Sequence, residues 1–243
     1  MSRVQDTPLV VHPSQPVDVG AASRTSREVV IFMDDFLQGY DTTFKWAVQE
    51  DSSASTGDVI SDAQSGVLNL GCDGDNDDEC YVSSIAECWK FDTSRHLVFE
   101  ARVKHTVANT GGGSLIVGLS DTVAANSLLD SEAGPMASFD GACFYRNGAV
   151  NFWGFITSNA ATQKTTAHVA AFTSAAWTTL RFQYDPNDGV TAHVTPVIDG
   201  VTYTAHDLTI SGLEEMHILL GVKTPGTSEE ALLVDYVRIV SDR

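Results

Sequence analysis

The sequence predicts an all-β protein: an antiparallel two-sheet sandwich over residues 29–243, preceded by an extended N-terminal arm over residues 1–28. Three observations support this prediction. Short β-rich runs alternate apolar and polar residues, turn-forming sequences separate these runs, and strong helical periodicity is absent. Many short strands at this spacing are typical of a sandwich. A chain of 243 residues is long enough for one large domain of this class.

The arm over residues 1–28 is polar, contains three prolines and shows no periodicity. This composition suits an extended segment rather than a packed element. Its apolar run is Leu9, Val10 and Val11, and we expect these residues to contact a neighbouring subunit, as a strand added to the edge of its sheet. The run is too short for the apolar region of a secretory signal, so we do not expect such a signal.

The strands of the sandwich begin after residue 28. The run LVFEARVKH places Leu97, Phe99, Ala101 and Val103 on one face and charged residues on the other, and TTLRFQY repeats this alternation. Each run therefore predicts a strand with one buried face. Further β-rich runs are SLIVGLS, ACFY, VNFWGFIT, VTAHVTPVI, VTYTAHDLTI, HILLGV and LLVDYVRIV.

Turn signals lie between these runs, in RNGA, DPNDG, IDGV and TPGTS. The pair Asp199-Gly200 separates two β-rich runs and predicts a tight hairpin. The segments DTVAANSLLD and SGLEEM are the two places where the sequence allows a turn or two of helix.

The formal net charge is −18, from 14 Lys and Arg against 32 Asp and Glu. A chain this acidic is repelled by phosphate backbones, so we expect no nucleic-acid partner. No apolar run approaches the ~20 residues that span a bilayer, so we expect no membrane partner. Four cysteines without a C-x-x-C pair predict neither a disulfide framework nor a structural zinc site, and we expect no cofactor.

The acidic stretch GCDGDNDDECY, residues 71–81, begins like a D-x-D-x-D calcium loop. The match fails further along, because Asp78 stands where such a loop needs glycine and Ser84 where it needs a bidentate glutamate. We therefore interpret this stretch as a solvated hairpin loop without a metal, with calcium as the alternative. Cys72 and Cys80 would lie near the two stems, within disulfide reach, but we expect them to stay thiols in a reducing cytoplasm.

Three segments resemble known proteins. FMDDFLQGYDTTFKWAVQED resembles the opening strand of the concanavalin A-like lectin and glucanase superfamily, and LLVDYVRIV resembles the closing strand of its laminarinase-type glucanases. The middle of the chain, including DNDDECYVSSIAECWKFDTSRHLVFEARVKHT and FDGACFYRNGAVNFWGFIT, resembles jelly-roll proteins of tailed-phage virions. Those proteins often decorate the capsid. The resemblance covers residues 29–243 and implies a jelly-roll sandwich.

A laminarinase-type retaining glucanase needs two carboxylates on one strand, typically in E-x-D-x-x-E, about 5 Å apart. No glutamate in this sequence is followed two residues later by aspartate. Glu100 and Asp235 lie in β-rich runs, but each lacks a partner at strand spacing. The sequence also contains neither G-x-S-x-G nor H-E-x-x-H, and its seven histidines form no close pair on one strand face. We therefore predict no catalytic residues and no enzyme.

Trp153, in NFWGFIT, has apolar neighbours on both faces of its predicted strand. This pattern favours a core on one face and a contact surface on the other, so Trp153 is a candidate subunit or capsid contact. The alternative is an exposed ring that stacks on a sugar.

Taken with the resemblance, these observations predict a non-enzymatic virion structural protein, a capsid decoration or cement subunit on the outer capsid surface. The arm would bind the major capsid protein or sister subunits, in a homo-oligomer such as a trimer. The acidic charge fits an exterior position, away from packaged DNA. Two alternatives stay open: a carbohydrate-binding module of a tail fibre that recognises host glycans, and a divergent glycosidase.

Overall fold

The computed structural model describes residues 29–51, 56–60, 66–107, 112–148, 150–188 and 190–243. Residues 1–28, and with them the predicted contacts of the arm, lie outside this part of the chain. The described chain contains eighteen strands and one short 3₁₀ turn, Asp130–Glu132. The strands are β1 Val29–Asp34, β2 Trp46–Glu50, β3 Thr56–Val59, β4 Leu68–Cys72, β5 Glu79–Ser84, β6 Leu97–Thr106, β7 Ser114–Ser120, β8 Leu128–Leu129, β9 Gly134–Pro135, β10 Gly141–Arg146, β11 Phe152–Asn159, β12 Thr162–Ala171, β13 Trp177–Asp185, β14 Thr191–Ile198, β15 Val201–Thr202, β16 His206–Thr209, β17 His217–Lys223 and β18 Glu230–Asp242.

Two large sheets form the sandwich, and the described pairs are antiparallel, which confirms the predicted fold class. The nine-stranded sheet has the order β15-β14-β13-β6-β18-β4-β3, with β1 beside the C-terminal half of β18 and β16 beside β14. The seven-stranded sheet has the order β12-β11-β10-β7-β17-β5-β2. The short pair β8-β9 lies in neither sheet.

The main core fills the space between the sheets, as the alternation in the strands predicts. Phe99 and Phe182 of the nine-stranded sheet stack with their ring centroids 5.1 Å apart. Across the core, the Phe182 ring lies 6.1 Å from Phe155 and 6.4 Å from Phe144 of the seven-stranded sheet. Side chains from both sheets therefore interdigitate, as expected for a face-to-face sandwich.

Asp34, the first aspartate of the D-D-F motif, joins the two sheets at the start of the sandwich. Its carboxylate accepts hydrogen bonds from the backbone N–H of Phe36 at 2.9 Å and from Nε1 of Trp46 at 3.0 Å. Lys45 adds an ion pair at 3.3 Å. Because Asp34 ends β1 and Trp46 begins β2, this buried carboxylate has a structural role in connecting the sheets.

The predicted hairpin at Asp199-Gly200 is confirmed. Val197 pairs with Thr202 and Ile198 with Val201, and the two turn residues have φ angles of 48° and 80°. Positive φ at both central residues is the signature of a type I′ turn, which Asp-Gly favours.

The suggested helices in DTVAANSLLD and SGLEEM are wrong. Helical structure in the described chain is confined to the 3₁₀ turn at Asp130–Glu132, and residues 211–216 form a turn and an isolated bridge. No helix within the described ranges is long and apolar enough to cross a membrane.

Candidate functional site

The outer face of the seven-stranded sheet carries two tyrosines that lie across glycines of neighbouring strands. Tyr81 pairs with Gly221, and Tyr145 pairs with Gly154. A Cβ atom placed on Gly221 would overlap Cδ1 of Tyr81, and one on Gly154 would overlap Cζ of Tyr145. The glycines therefore give both rings the space to lie close to the sheet.

Residues 121–140 cover this face. Leu128 and Phe139 of the covering segment are buried, and they share a second hydrophobic cluster with side chains that the sheet points outward. The outer face is thus a small core of its own rather than an open groove. The buried sheet residues of this cluster are Tyr81, Ile116, Cys143, Tyr145, Ile156 and Leu219.

Charged and polar groups anchor one end of the covering segment. Nζ of Lys223 lies 3.0 Å from Glu79 and 2.7 Å from Asp130, and it donates to Oδ1 of Asn126 at 2.5 Å. The Tyr81 hydroxyl donates to Glu79 at 2.9 Å and accepts from the backbone N–H of the segment. Burial acts to lower the pKa of Lys223, but the carboxylates of Asp130 and Glu79 hold that pKa above its ordinary value.

The other end of the segment is closed by Asp140, a buried residue. Its carboxylate accepts hydrogen bonds from the backbone N–H of Ala160 at 2.6 Å and of Glu214 at 2.8 Å. Its own N–H donates to Asp121 at 2.7 Å. Because the segment is fixed to strands β5 and β17 on one side and to loops on the other, the cover is an integrated part of the fold.

The seven strands of this sheet carry only two carboxylates, Glu50 and Glu79. They project from opposite faces, because Glu50 pairs with Cys80 and neighbouring residues of a strand alternate sides. Glu79 is bound by Lys223 and Tyr81, as described above. In the described chain, therefore, this sheet offers no pair of carboxylates on one face for the acid and nucleophile of a retaining glycosidase.

The outer face of the nine-stranded sheet has a different character. Arg102 and Lys104 lie over the Trp177 ring, 4.7 Å and 5.0 Å from its centroid. Asp235 forms an ion pair with Arg102 at 2.5 Å. Glu100, the other carboxylate considered in the sequence, is buried, and burial raises its pKa. Asp235 is thus paired with Arg102, whereas Glu100 accepts a hydrogen bond from the Tyr236 hydroxyl at 2.9 Å, so the two carboxylates have separate partners.

The interpretation of residues 71–81 as a hairpin loop is wrong. Before the loop, β4 belongs to the nine-stranded sheet, and after it β5 belongs to the seven-stranded sheet. The loop therefore crosses between the sheets. It brings one carboxylate oxygen each of Asp73, Asp75 and Asp78 within 4.8 Å of one another, a group that could hold a cation. The expectation that this loop binds no calcium tightly stays a prediction.

Cys72 and Cys80 face the core from opposite sheets, and both are free thiols. Cys72 donates from Sγ to the carbonyl oxygen of Val222 at 3.3 Å. Burial raises the pKa of Cys80 to about 12. A thiol with a raised pKa is a poor nucleophile, which fits a structural role in packing.

The structure buries three of the four tryptophans. Trp153 is 1% exposed and packs edge-on against Phe172, with their centroids 5.7 Å apart. Its role in a contact surface stays a prediction, and the neighbouring Phe152, 40% exposed, is better placed for such a contact. Trp177, the fourth, is half-buried beneath basic side chains, so none of the four presents a bare ring for stacking on a sugar.

A polar pocket of about 340 Å³ lies where β11 and β12 of one sheet meet β16 of the other. Asp207 at its rim contacts His193 at 2.9 Å and Lys164 at 4.0 Å. Hydroxyl, amide and charged groups of this kind can bind the hydroxyls of a small polar ligand. The pocket is lined by Thr157, Asn159, Thr162, Gln163, Lys164, Asp207, Leu208, Thr209 and Ser211.

Two buried pairs of titratable side chains could not be predicted from the sequence: the Lys223–Glu79 ion pair and the hydrogen-bonded His105–Glu230 pair. Lys223 and Glu79 are 144 residues apart, and His105 and Glu230, 2.7 Å apart, are both fully buried. Burial acts to lower the pKa of His105 more strongly than Glu230 raises it. Alternation within a strand marks each of these residues as an inward or outward position, but it carries no signal for a partner so distant in sequence.

Several solved structures have the same fold. An endo-1,3-β-glucanase from Streptomyces sioyaensis is 14% identical over 91% of this chain and 99% of that chain, with a TM-score of 0.60. Peanut lectin is 13% identical over 88% and 97%, with a TM-score of 0.60. The carbohydrate esterase vb_24B_21 of Shiga toxin-encoding bacteriophage phi24B is 18% identical over 88% and 99%, with a TM-score of 0.57.

The protein therefore has the concanavalin A-like jelly-roll fold that carries glucanases, lectins and an esterase. No protein-family model matches the sequence, and no curated protein matches it significantly. At these identities the likeness establishes the fold alone, and function has to be argued from the site.

Proposed function

We propose that this protein is a non-enzymatic structural protein of a tailed-phage virion, which decorates the outer capsid surface and attaches through residues 1–28. The observation that carries the non-enzymatic part is the covered outer face of the seven-stranded sheet. Residues 121–140 fill it, and Glu79 is held there by Lys223. A groove filled by the chain's own buried side chains leaves no room for a polysaccharide.

The virion part rests on three supports of a different kind. The middle of the sequence resembles virion jelly-roll proteins, one solved structure of this fold comes from a bacteriophage, and the acidic charge suits an exterior position. In addition, the arm leads directly into β1, whose apolar side chains are exposed. A cluster of exposed apolar side chains is typical of an interaction site.

The test of attachment is deletion of residues 1–28. We expect the truncated protein to fold, with the strand-dominated circular dichroism of the full chain, and to lose binding to particles that lack decoration. Binding is measured by co-sedimentation with such particles at increasing salt. Full occupancy and equal salt resistance of the truncated protein would refute attachment through the arm.

The test of the non-enzymatic part is release of reducing sugar from a panel of β-glucans and galactans. We expect no turnover above the background, because the sequence lacks E-x-D-x-x-E and the described seven-stranded sheet has no two carboxylates on one face. Turnover that disappears on substitution of a single Asp or Glu would contradict the proposal.

The polar pocket beside Asp207 favours a second candidate, a carbohydrate-binding module. Its hydroxyl and amide lining suits sugar hydroxyls, although the lining contains no aromatic side chain for stacking. A glycan array separates the two functions. Binding that is lost in Asp207→Ala but kept in the control Glu229→Ala, at an exposed residue outside the pocket, would favour the lectin-like function.

A further inference from the structure

Strand β1 exposes apolar side chains on both of its faces. On the outer face of the nine-stranded sheet, Val29, Ile31 and Met33 are 50%, 63% and 55% exposed, and on the other face Val30 is 37% exposed. Of the eleven large hydrophobic side chains that are exposed in the described part of the chain, eight lie between residues 29 and 85. The apolar surface is therefore concentrated where the sandwich begins.

The backbone of β1 is exposed to pairing as well. One edge pairs with β18, from Val29 opposite Asp242 to Asp34 opposite Val237. No strand of the described residues pairs with the other edge. An apolar edge strand with open N–H and C=O groups is a template for another strand. Natural edges are usually blunted by charge or proline, and β1 has neither before Asp34.

The arm has the properties of a strand that would pair there. Its apolar residues are Leu9, Val10 and Val11, the first and third of which alternate to one side of an extended backbone. Residues 1–28 contain three arginines and three acidic residues, so the formal charge of −18 resides in residues 29–243. A neutral arm can approach a second acidic copy without the repulsion that two sandwiches would meet.

We propose that the edge of β1 accepts residues 8–11 of a second copy of this chain as an added strand. Leu9 and Val11 would then cover Ile31 and Met33. Reciprocal exchange of arms closes such contacts into a dimer or ring. This inference rests on the assembly role of the arm in the proposed function, and it adds the identity of one partner.

The arm of a second copy is a better source of the added strand than the chain's own arm. Residues 12–28 would have to form a 17-residue loop to bring the arm back onto β1, whereas antiparallel neighbours are usually joined by loops of about 2–5 residues. Pro13 and Pro16 favour an extended backbone, which would span about 3 Å per residue and is less suited to the reversal that such a return needs.

The experiment is sedimentation velocity of three purified full-length double variants beside the wild type. Ile31→Lys with Met33→Lys blocks the acceptor, and Leu9→Lys with Val11→Lys blocks the donor. We expect each to weaken self-association at least about tenfold, because each apolar side chain loses its burial. Thermal unfolding of each variant confirms that the sandwich is intact.

The third variant is the matched control and carries lysines at Val190 and Val201, which are 65% and 54% exposed. It has the same change of charge and similar exposure, and Val201 lies in β15 at the opposite end of the nine-stranded sheet. We expect it to associate like the wild type. If the wild type is monomeric at every concentration studied, or if self-association of the control is weakened as much as that of the acceptor variant, the proposal is wrong.

Mixing the donor and acceptor variants identifies which copy supplies the arm. The donor variant keeps an intact β1 edge, and the acceptor variant keeps an intact arm. If arms are exchanged between copies, the mixture should form a heterodimer in which one arm pairs with one β1 edge. If each chain's own arm covered its β1, the mixture would contain monomers only, and the proposal would be refuted. The purified chains are studied without particles, so this outcome is independent of the particle-binding test.

Discussion

Replacing Lys223 with methionine should destabilise the cover over the seven-stranded sheet. The side chains of Lys223 and Glu79 are each 4% exposed, and Nζ lies 3.0 Å from the Glu79 carboxylate. The methionine keeps the volume and removes the charge. Glu79 then stays buried, with donors only from Tyr81 at 2.9 Å and from the backbone N–H of Asn126 at 2.9 Å.

The expected decrease in the free energy of unfolding follows from these partners. Breaking a buried ion pair by removing one charge typically costs about 3–5 kcal/mol. Because Glu79 keeps two donors, we expect the lower end, about 3 kcal/mol. For a chain of this length that corresponds to a decrease in Tm of roughly 6–12 °C. The lost contact with Asp130 adds little, because that carboxylate is 59% exposed.

The measurement is urea unfolding followed by tryptophan fluorescence, for Lys223→Met, Glu79→Gln and the double variant. The double variant removes both charges, so we expect it to recover most of the loss and to lie within about 1 kcal/mol of the wild type. Lys90→Met is the matched control, since its ion pair with Glu215 is exposed on both sides, and we expect no measurable change.

Two outcomes would refute this reasoning. If Lys223→Met unfolds at the wild-type urea concentration, the pair does not hold the cover. If the losses of the two single variants simply add in the double variant, Lys223 and Glu79 are not coupled in the folded protein.

Three further predictions concern pH, packing and metal. Burial, and then the charge of Lys164, lower the pKa of His206 to about 4, so the folded state favours the neutral ring. The resulting stabilisation of the folded state is present above the unfolded pKa of about 6.5 and is lost as the pH falls towards 4, by up to about 3 kcal/mol. In urea unfolding, the free energy of unfolding of the wild type should therefore fall more between pH 7 and pH 4.5 than that of His206→Gln. Equal decreases in the two proteins would contradict this. Gly221→Ala should lower the free energy of unfolding by more than about 2 kcal/mol, because the added Cβ would overlap the Tyr81 ring. Gly226→Ala is the control, since its Cβ would meet nothing within 4 Å, and thermal unfolding should show no change for it. Calorimetric titration of the protein with calcium should show no site with a dissociation constant below ~10 μM. A lower dissociation constant would favour the alternative in which the 71–81 loop binds calcium.

Much of the fold could be predicted from local patterns. The alternation in LVFEARVKH gives β6, with Phe99, Ala101 and Val103 fully buried. The Asp199-Gly200 turn gives the β14–β15 hairpin. Both signals work because side-chain direction in a strand and φ at a turn depend on adjacent residues alone. The absence of an E-x-D-x-x-E motif could also be read from the sequence, since the motif is a spacing within one strand.

The same local patterns failed at the connections. The turn residues between Cys72 and Cys80 predicted a hairpin, but the flanking strands lie in opposite sheets. A turn signal reports that the chain changes direction, and it does not report which strand the next one will pair with. Likewise, the apolar residues of DTVAANSLLD suggested a helix, and the structure uses Leu128 of that segment to cover a sheet.

The sequence by itself determined the fold class, the acidic net charge and the lack of an E-x-D-x-x-E motif, because each follows from residue type or from neighbours in the chain. Only the tertiary structure decided that residues 121–140 fill the outer face and that Lys223 lies against Glu79. It also decided that β1 lies at an edge with its apolar residues exposed. These features depend on contacts between residues far apart in sequence. Such contacts form only after each strand has chosen its partners, by the burial and pairing energies of the whole sandwich.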